Sequence, residues 1–301
     1  MILLMAAPDK EPDLSLIICT RNRCEQLVRC FETVRRIEFE RPWELIVVNN
    51  GSDDATAIVI QEFIKTASFP VHQVFQSKPG LGNARNAGVA AASGKILAFT
   101  DDDCYPAADF LSRVWSAFQD PSLGYVTGRI LLHDPADLPI AIQDFNVPVT
   151  IGGKSFINPG GVQGANMAFR REVLSEIGGF DPLFGAGSLF SAEDLDAASR
   201  ASAAGWNGRY CPDVVVHHHH GRRAPDSARM WKSYGLGIGA CYMKLFLRGP
   251  ERVRLVRFVC YVHRRDKSPR GLIFWEAVGA AKYAYMHTAQ ALGRWGHRER
   301  I

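Results

Sequence analysis

Short apolar runs alternate with segments of helical periodicity over residues 14–99. Four of the runs predict strands and three of the segments between them predict helices. The strands are 14–19, 45–48, 71–76 and 96–99, and the helices are 25–37, 55–65 and 82–92. Strands that alternate with helices of this length indicate a mostly parallel central sheet with helices on both faces. The pattern therefore predicts the α/β fold class.

Polar side chains follow three of these predicted strands at the point where each strand ends. Thr20 and Asn22 come after the first strand, Asn50 comes after the second, and three aspartates come after the fourth. The carboxyl ends of parallel strands meet at one edge of an open α/β sheet, and ligands bind in the crevice at that edge. We therefore expect these side chains to share one rim and to form a binding site.

The three aspartates, Asp101, Asp102 and Asp103, are the most informative feature of this rim. Adjacent anions repel one another unless a cation lies among them, and carboxylate oxygens suit Mg²⁺ or Mn²⁺. A metal ion held by few protein ligands completes its coordination shell with substrate phosphates. A solvated acidic turn is the alternative that these three residues alone leave open.

A glycine-rich turn at residues 80–85 follows the third predicted strand and opens a helix. It is the nearest approach to a dinucleotide-binding fingerprint, but Arg85 stands where the third glycine should pack, and the turn does not follow the first strand. A Rossmann dehydrogenase is therefore disfavoured. We expect the turn to bring the Arg85 guanidinium to the acidic rim, where it pairs with an aspartate or stacks on a ligand. An exposed position on the helix is the alternative.

A second acidic pair, Glu193 and Asp194, falls in the first turn of a helix predicted over 193–204. The helix dipole and the free amides of a first turn favour carboxylates, which is a sufficient structural explanation. The functional alternative is that one of the two carboxylates is a general base toward an acceptor hydroxyl. The sequence pattern leaves both explanations open.

Four consecutive histidines close a strand rich in valine. Because side chains alternate along a strand, His218 and His220 point to one face, and His217 and His219 point to the other. One of these faces is a candidate to present a metal ligand, while the other meets solvent or packing.

Composition indicates one large globular domain with an appendage: the chain has 301 residues, of which 47% are hydrophobic and 22% charged. Its seven cysteines form no C-x-x-C pair, which favours a reduced, cytoplasmic location.

The apolar residues 1–5 lack a basic flank and are soon followed by Pro8, so we expect no signal peptide. No stretch has the ~18 uncharged apolar residues of a spanning helix.

The charge is distributed unevenly along the chain. Residues 221–301 hold 17 Lys and Arg against 5 Asp and Glu, a net of +12, whereas residues 1–220 hold 18 against 26, a net of −8. An acidic body with a basic tail suggests that the tail meets an anionic surface. Nucleic acid is disfavoured as that partner, because the tail lacks interleaved aromatic residues and any recognised binding module.

Part of this tail predicts a two-sided helix that begins at residue 254. One side carries basic and aromatic residues and the other carries apolar ones: Arg254, Arg257, Tyr261, Arg264 and Arg265 against Leu255, Val256, Val259 and Val262. The pattern is typical of a helix at a membrane interface, where each cation near anionic lipid adds ~1 kcal/mol. A helix packed on the body of the protein is the alternative.

Upstream of this helix, glycines at spacing two in residues 234–240 suit close helix packing or a bend.

Six ordered blocks between residues 13 and 220 resemble the inverting glycosyltransferases of family 2, which have the GT-A fold and use nucleotide-diphosphate sugars. The blocks are the first strand and its loop (14–22), the second loop (47–52), a G-x-x-x-A-R-N-x-G segment (80–88), the D-x-D position (101–103), an acceptor-side block (164–171 and 178–181) and an E-D motif (193–196). The six blocks in this order indicate the family far more specifically than any single block does.

The resemblance implies which residues hold a divalent metal, Mn²⁺ or Mg²⁺. Asp103 would bind the ion that bridges the diphosphate, and Asp101 or Asp102 would lie near the ribose. His218 falls where family members often place a further metal ligand, and the run of histidines leaves His220 as the second choice.

The resemblance also implies the catalytic and acceptor-side residues. Asp194, with Glu193 as the other candidate, would deprotonate the acceptor hydroxyl as it attacks the anomeric carbon. Gly164 and Asn166 belong to the acceptor-side block.

Nucleotide-binding roles are implied for Thr20, Asn22, Asn50 and Arg85. Asn50 stands where many family members have aspartate, so its contact with the base is expected to be weaker or altered.

The resemblance predicts three parts: an N-terminal extension (1–12), a GT-A catalytic domain (13–220) and a basic helical C-terminal extension (221–301). The expected reaction is metal-dependent transfer of a sugar, from a UDP-sugar by preference, to a saccharide or lipid-linked saccharide acceptor. The expected place is the cytoplasm, at the anionic inner face of the plasma membrane, in polysaccharide or glycoconjugate synthesis. A sugar-nucleotide-binding protein without turnover, or a partner subunit of a transferase, is the alternative. A sugar nucleotidylyltransferase is disfavoured, because residues 20–23 offer no glycine-rich nucleotidyl loop followed by lysine.

Overall fold

The structure is a computed structural model that describes residues 11–223, 227–247 and 271–298. In these residues a nine-stranded sheet is flanked by helices. The strands are β1 (Leu14–Thr20), β2 (Trp43–Asn49), β3 (Val71–Phe75), β4 (Ile96–Asp101), β5 (Cys104–Pro106), β6 (Leu123–Leu132), β7 (Val149–Ile151), β8 (Met167–Arg170) and β9 (Asn207–His218). The helices are α1 (Cys24–Val34), α2 (Thr56–Thr66), α3 (Leu81–Ala91), α4 (Phe110–Ala117), α5 (Arg171–Glu176), α6 (Glu193–Ala204), α7 (Ser227–Leu247) and α8 (Leu272–Arg298).

The first four strands form the parallel part of the sheet, in the order β3-β2-β1-β4. Their register brings the ends of the strands together, because Thr20 pairs with Asn49 and Cys19 pairs with Asp101. The loops after β1, β2 and β4 therefore meet at one edge of the sheet, as the sequence predicts. The predicted helices 25–37, 55–65 and 82–92 correspond to α1, α2 and α3, and their ends differ by one to three residues.

The second half of the sheet continues in the order β8-β6-β9-β5 and mixes the two kinds of pairing. β8 is antiparallel to both of its neighbours, β4 and β6, while β6 and β9 are parallel. β5 and β7 are short and pair antiparallel with β9. The α/β class with flanking helices is confirmed, and the sheet adds antiparallel pairs that strand–helix alternation in residues 14–99 does not indicate.

Apolar cores cover both faces of the sheet. Leu16 and Ile18 of β1 face one core, together with side chains of α1, α2 and α4. Ile17 faces the other core, together with side chains of α3, α5, α6 and α7. Because both faces of β1 are buried, the strand reads as a continuous apolar run rather than as an alternating one.

The helix α7 belongs to the second core, where Ile238, Ala240 and Cys241 are buried. Its glycines allow close contact with neighbouring elements: a side chain at Gly239 would clash with the Glu276 backbone in α8. This confirms the prediction of close helix packing from the glycine spacing. The domain boundary at residue 220 stays a prediction, but α7 packs into a core that the preceding residues form.

A buried cation joins α7 to the acidic helix α6. Lys244 Nζ lies 2.7 Å from Asp181 Oδ2 and 2.5 Å from Asp196 Oδ1, and the lysine is 1% exposed. Removing one partner of such a buried pair leaves an uncompensated charge. The position of α6 therefore depends on residues of the C-terminal extension.

Parts of the predicted tail cannot be compared with the structure. The two-sided helix from residue 254 lies outside the described residues, as do residues 1–10. Within the described ranges, no helix is both long and apolar enough to cross a bilayer.

Candidate active site

The aspartates that follow β4 lie beside the loop after β1. The Thr20 hydroxyl donates to Asp102 Oδ2 at 2.7 Å. The Arg23 guanidinium contacts both Asp102 Oδ1, at 3.3 Å, and Asp103 Oδ2, at 2.7 Å. Burial raises the pKa of Asp102 to about 7, although Arg23 opposes this shift. The first loop thus supplies the countercharge for two of the three aspartates.

Asp103 also faces the end of β9. Its Oδ1 lies 3.4 Å from His218 Nε2, and both side chains are buried. Burial opposes ionisation of Asp103, yet His218 and Arg23 hold its pKa below the usual range. Burial likewise opposes protonation of His218, yet Asp103 raises its pKa. The structure therefore brings together the two residues that were predicted to bind the metal.

The atoms around Asp103 fit a divalent cation. Asp103, Cys104 and His218 offer ligand atoms that all lie within 4.8 Å of one another. A carboxylate oxygen and an imidazole nitrogen suit Mn²⁺ or Mg²⁺. Burial holds the pKa of the Cys104 thiol well above its usual value, and a soft sulfur suits Mn²⁺ or Mg²⁺ less well than oxygen does. Asp103 and His218 are thus the pair that this geometry favours for holding such an ion.

His220, the second candidate ligand, is engaged elsewhere. Its Nε2 lies 2.9 Å from Leu138 O, and its Nδ1 accepts from the backbone N–H of Arg222 at 3.0 Å. Both ring nitrogens therefore fix the chain that follows β9. By contrast, the buried Nδ1 of His218 has no hydrogen-bond partner among the described residues. This geometry favours His218 over His220.

Arg85 links the two acidic motifs. Its Nη1 donates to Glu193 Oε1 at 2.6 Å. Its Nη2 donates to Asp101 Oδ1 at 3.3 Å and to Gly164 O at 3.2 Å. A side chain at Gly164 would clash with this guanidinium, which explains the glycine there. Arg85 reaches the acidic rim, as predicted, and is not an exposed helix residue.

Asp194 lies in the first turn of α6 and points toward the rim. Its Oδ2 accepts from the Gly164 N–H and its Oδ1 from the Leu195 N–H, both at 2.7 Å. Asp194 is half-buried, whereas Glu193 is buried and bound to Arg85. Burial raises the pKa of both carboxyl groups, that of Glu193 to about 7, although Arg85 opposes the shift. A raised pKa suits a general base that works near neutral pH.

The residues predicted to meet the nucleotide also hold the loops of the rim together. Asn50 Nδ2 donates to two backbone carbonyls of residues 76–80, at 2.9 and 2.7 Å, and its Oδ1 accepts from the Gly80 N–H at 3.0 Å. Asn22 Oδ1 accepts from the Asp53 N–H at 2.9 Å. An aspartate at position 50 has no donors for these carbonyls, so the asparagine has a loop-holding role of its own.

Asn166, predicted on the acceptor side, lies inside the sheet. Its Nδ2 donates to Arg129 O and to Val214 O, both at 2.9 Å, and the residue is 1% exposed. The amide therefore joins β6 and β9 to the segment just before β8. An effect of Asn166 on the acceptor would act through the position of these strands.

Three residues near the carboxylates are absent from the sequence-based set: Arg23, Arg222 and Tyr234. The position of Arg23, in a loop predicted to face three aspartates, is a charge signal that could have identified it. Arg222 follows the end of β9 and is held there by His220. Tyr234 comes near the site through the path of α7, because Ser191 Oγ donates to Ser233 O at 2.8 Å beside the start of α6. No local pattern in the sequence indicates that approach.

The family is established by sequence. The profile described as Glycosyl transferase family 2 matches residues 15–178, which is more than half of the chain. The chain therefore belongs to glycosyl transferase family 2 and is a glycosyltransferase.

Individual relatives agree with this assignment. The chain is 27% identical over 209 residues to glycosyltransferase AglE of Haloferax volcanii, covering 69% of this chain and 67% of AglE. It is 26% identical over 224 residues to the O-antigen chain rhamnosyltransferase WbaN of Salmonella anatum, with 69% and 67% covered. It is 27% identical over 247 residues to the pre-mycofactocin glycosyltransferase of Mycobacterium tuberculosis, covering 80% of this chain but only 49% of that protein. The chain thus spans from about half to two thirds of these relatives.

Solved structures share the fold. The mannosyltransferase PcManGT from Pyrobaculum calidifontis, in complex with GDP-Man and Mn²⁺, matches with a TM-score of 0.65 and 20% identity over 96% of this chain and 83% of that one. TarS 1-349 of S. aureus, in complex with UDP-GlcNAc, matches with a TM-score of 0.57 and 15% identity over 78% and 66%. These similarities confirm the predicted GT-A fold.

Proposed function

We propose that this protein transfers a sugar from a nucleoside-diphosphate sugar to a saccharide or lipid-linked saccharide acceptor, with inversion at the anomeric carbon. A UDP-sugar is the preferred donor in this proposal. The observation that carries it is the Arg85 bridge, which joins Asp101 of the D-x-D segment to Glu193 of the E-D motif. Nucleotide sugars bound to PcManGT and TarS support the donor class.

Asp194 is the proposed general base. The acceptor oxygen forms a bond to the anomeric carbon while the bond from that carbon to the phosphate oxygen breaks. The hydroxyl proton passes to the Asp194 carboxylate, and the bonding electron pair leaves with the nucleoside diphosphate. The amides of Gly164 and Leu195 hold the carboxylate in place. Attack from the side opposite the leaving group inverts the configuration.

Asp103 and His218 would hold the divalent cation, Mn²⁺ or Mg²⁺. When bound, such an ion neutralises charge on the leaving diphosphate, so the protein need not supply an acid. Arg23 contacts Oδ2 of Asp103, whereas His218 faces Oδ1. The arginine and the imidazole thus use different oxygens of one carboxylate.

Release of free nucleoside diphosphate tests this function. The full chain is mixed with UDP-, GDP- and dTDP-sugars and Mn²⁺, with a panel of saccharide and lipid-linked acceptors. We expect one donor class to give acceptor-dependent release, and NMR of the product to show an inverted linkage. Donor binding without release under every condition would indicate a binding protein without turnover, and a retained configuration would contradict the proposed single displacement.

Peripheral attachment to an anionic membrane surface on the cytoplasmic side is also proposed, from the +12 charge of residues 221–301. Because α7 shares a core with the body, the test keeps the full chain and changes Arg254, Arg257, Arg264 and Arg265 to glutamine. The unmutated protein should float with anionic liposomes at low salt and detach at high salt, because salt screens exposed charges. The variant should float less. Equal flotation of both proteins would remove this part of the proposal.

A further inference from the structure

Arg222 follows β9 and lies outside residues 15–178, which match the family. Its backbone is fixed on both sides, because its N–H donates to His220 Nδ1 and its carbonyl accepts from the Leu138 N–H, both at 3.0 Å. Its guanidinium makes one hydrogen bond within the described residues, from Nη1 to the Tyr234 hydroxyl at 3.4 Å. The base of the side chain is thus firmly held while its charged end is largely uncommitted.

Arg222 differs from the other two arginines of the site because its guanidinium is not paired with a carboxylate of the described residues. Arg23 pairs with two aspartates, and Arg85 pairs with Asp101 and Glu193. No carboxylate among the described residues lies within salt-bridge distance of Arg222. A guanidinium has several N–H donors in a planar fork that matches phosphate oxygens. A half-buried arginine without a carboxylate, beside an anionic rim, is suited to an anion from outside the chain.

The position of Arg222 indicates which anion this is. The ring of His220, which accepts from the Arg222 N–H, lies 5.0 Å from the ring of the proposed metal ligand His218. Its partner Tyr234 follows Ser233, whose carbonyl accepts from Ser191 Oγ at 2.8 Å just before α6, the helix that begins with Glu193 and Asp194. Arg222 therefore links the end of β9, which carries the proposed metal ligand His218, to the part of α7 that lies beside the start of α6 and the proposed base. In the displacement described above, the phosphate attached to the sugar occupies the interval between that metal ligand and that base.

We infer that Arg222 binds the β-phosphate of the donor and that Tyr234 positions it for this contact. The inference rests on the proposed function. As the bond between the anomeric carbon and the phosphate oxygen breaks, the electron pair remains on the diphosphate, and the guanidinium stabilises the added charge by donating to phosphate oxygens. Arg222 transfers no proton, because a guanidinium stays protonated. Tyr234 is a positioning residue, since it acts through Arg222.

The test is a calorimetric measurement of the affinity of the full chain, in Mn²⁺, for UDP, UMP and uridine. If the unmutated protein prefers guanosine or thymidine nucleotides, the corresponding series is used. Comparing the three affinities separates loss of a β-phosphate contact from a loss that affects nucleotide binding as a whole. Arg222→Ala should weaken binding of the diphosphate by about 10- to 100-fold, the effect of losing a charged hydrogen bond. Binding of the monophosphate and of the nucleoside should change less than about threefold, because these probes lack the β-phosphate. Arg222→Lys should lose less than Arg222→Ala, since the charge remains. Tyr234→Phe should weaken only the diphosphate, by a smaller factor.

Arg36→Ala is the matched control, because Arg36 is an exposed arginine past the end of α1. It should leave all three affinities unchanged. If Arg222→Ala does not fold, Arg222→Gln and Arg222→Lys give the same comparison. Unchanged diphosphate binding in folded Arg222 variants would overturn the inference and leave the proposed function intact. An equal loss of affinity for the diphosphate and the monophosphate would have the same two consequences. If the unmutated protein binds none of the three diphosphates, the proposed function fails as well.

Discussion

Two arginines neutralise the two acidic motifs, and they are held very differently. Arg85 is 2% exposed and bridges β4, α6 and the segment before β8 through Asp101, Glu193 and Gly164. The Arg23 side chain is 36% exposed and extends from a loop to Asp102 and Asp103. One arginine is enclosed by the fold, while the other lies over the rim.

The two arginines therefore differ in how readily another cation can replace them. An ion pair with an exposed partner contributes little to stability, so another cation can take over part of its role. A buried ion pair cannot be opened without leaving an uncompensated charge in the interior. The aspartate side of the rim is therefore suited to a metal ion that comes and goes with substrate. The Glu193 side is suited to hold a base in one position.

The largest change in activity is expected on the Glu193 side of the rim, where the proposed base Asp194 lies. Asp194→Asn should lower kcat by ~10²- to 10⁴-fold, because a general base is lost, while donor affinity stays nearly unchanged. Steady-state rates together with donor binding measure the two quantities separately. Glu193→Gln is the matched variant, and it should lower kcat less because Glu193 is bound to Arg85. If Glu193→Gln abolishes turnover and Asp194→Asn does not, the roles of the two carboxylates are exchanged.

The contrast between the two arginines should also appear in stability. Arg85→Met should lower the free energy of unfolding by ~3–5 kcal/mol, because it leaves the buried Glu193 carboxylate unpaired. Arg23→Met should lower it by less than Arg85→Met does, since the Arg23 side chain is partly exposed and His218 still faces Asp103. Urea denaturation of the two variants gives both values. Equal losses would show that Arg23 is as firmly built into the fold as Arg85.

A smaller effect is expected in the pH dependence of kcat. Burial raises the pKa of Glu193 to about 7 and raises that of Asp194 as well. A base must be ionised to accept a proton, so kcat should be full above these values and should fall as the pH drops through them. The acid limb should lie above the ~4 of an exposed aspartate, because burial raises the pKa of the Asp194 carboxyl. Nucleoside diphosphate affinity over the same range is the control, and an acid limb near pH 4 would contradict the assignment.

The rim was predictable from sequence because its chemistry is local. Each strand from β1 to β4 is a continuous segment, and the polar residues that end β1, β2 and β4 must meet wherever parallel strands pair. Arg85 was predicted to reach this rim because a glycine turn places it there. These inferences require only the order of strands and helices along the chain.

The remaining features depend on contacts between distant segments. The antiparallel β8 and the buried amide of Asn166 follow from a chain reversal that no alternation pattern encodes. The choice between His218 and His220 depends on Leu138, which takes one nitrogen of His220. Tyr234 approaches the site because α7 packs beside α6. In each case the deciding partner lies far away in sequence.

The most direct test of the account is the metal dependence of nucleoside diphosphate affinity. For the unmutated protein, affinity should be at least about tenfold higher in Mn²⁺ than in EDTA, because a cation at Asp103 would share the phosphate oxygens. Asp103→Asn and His218→Gln should remove this difference, while His220→Gln should keep it in folded protein. Equal affinity of the unmutated protein in Mn²⁺ and in EDTA would contradict the proposal that Asp103 and His218 form a metal site for the donor.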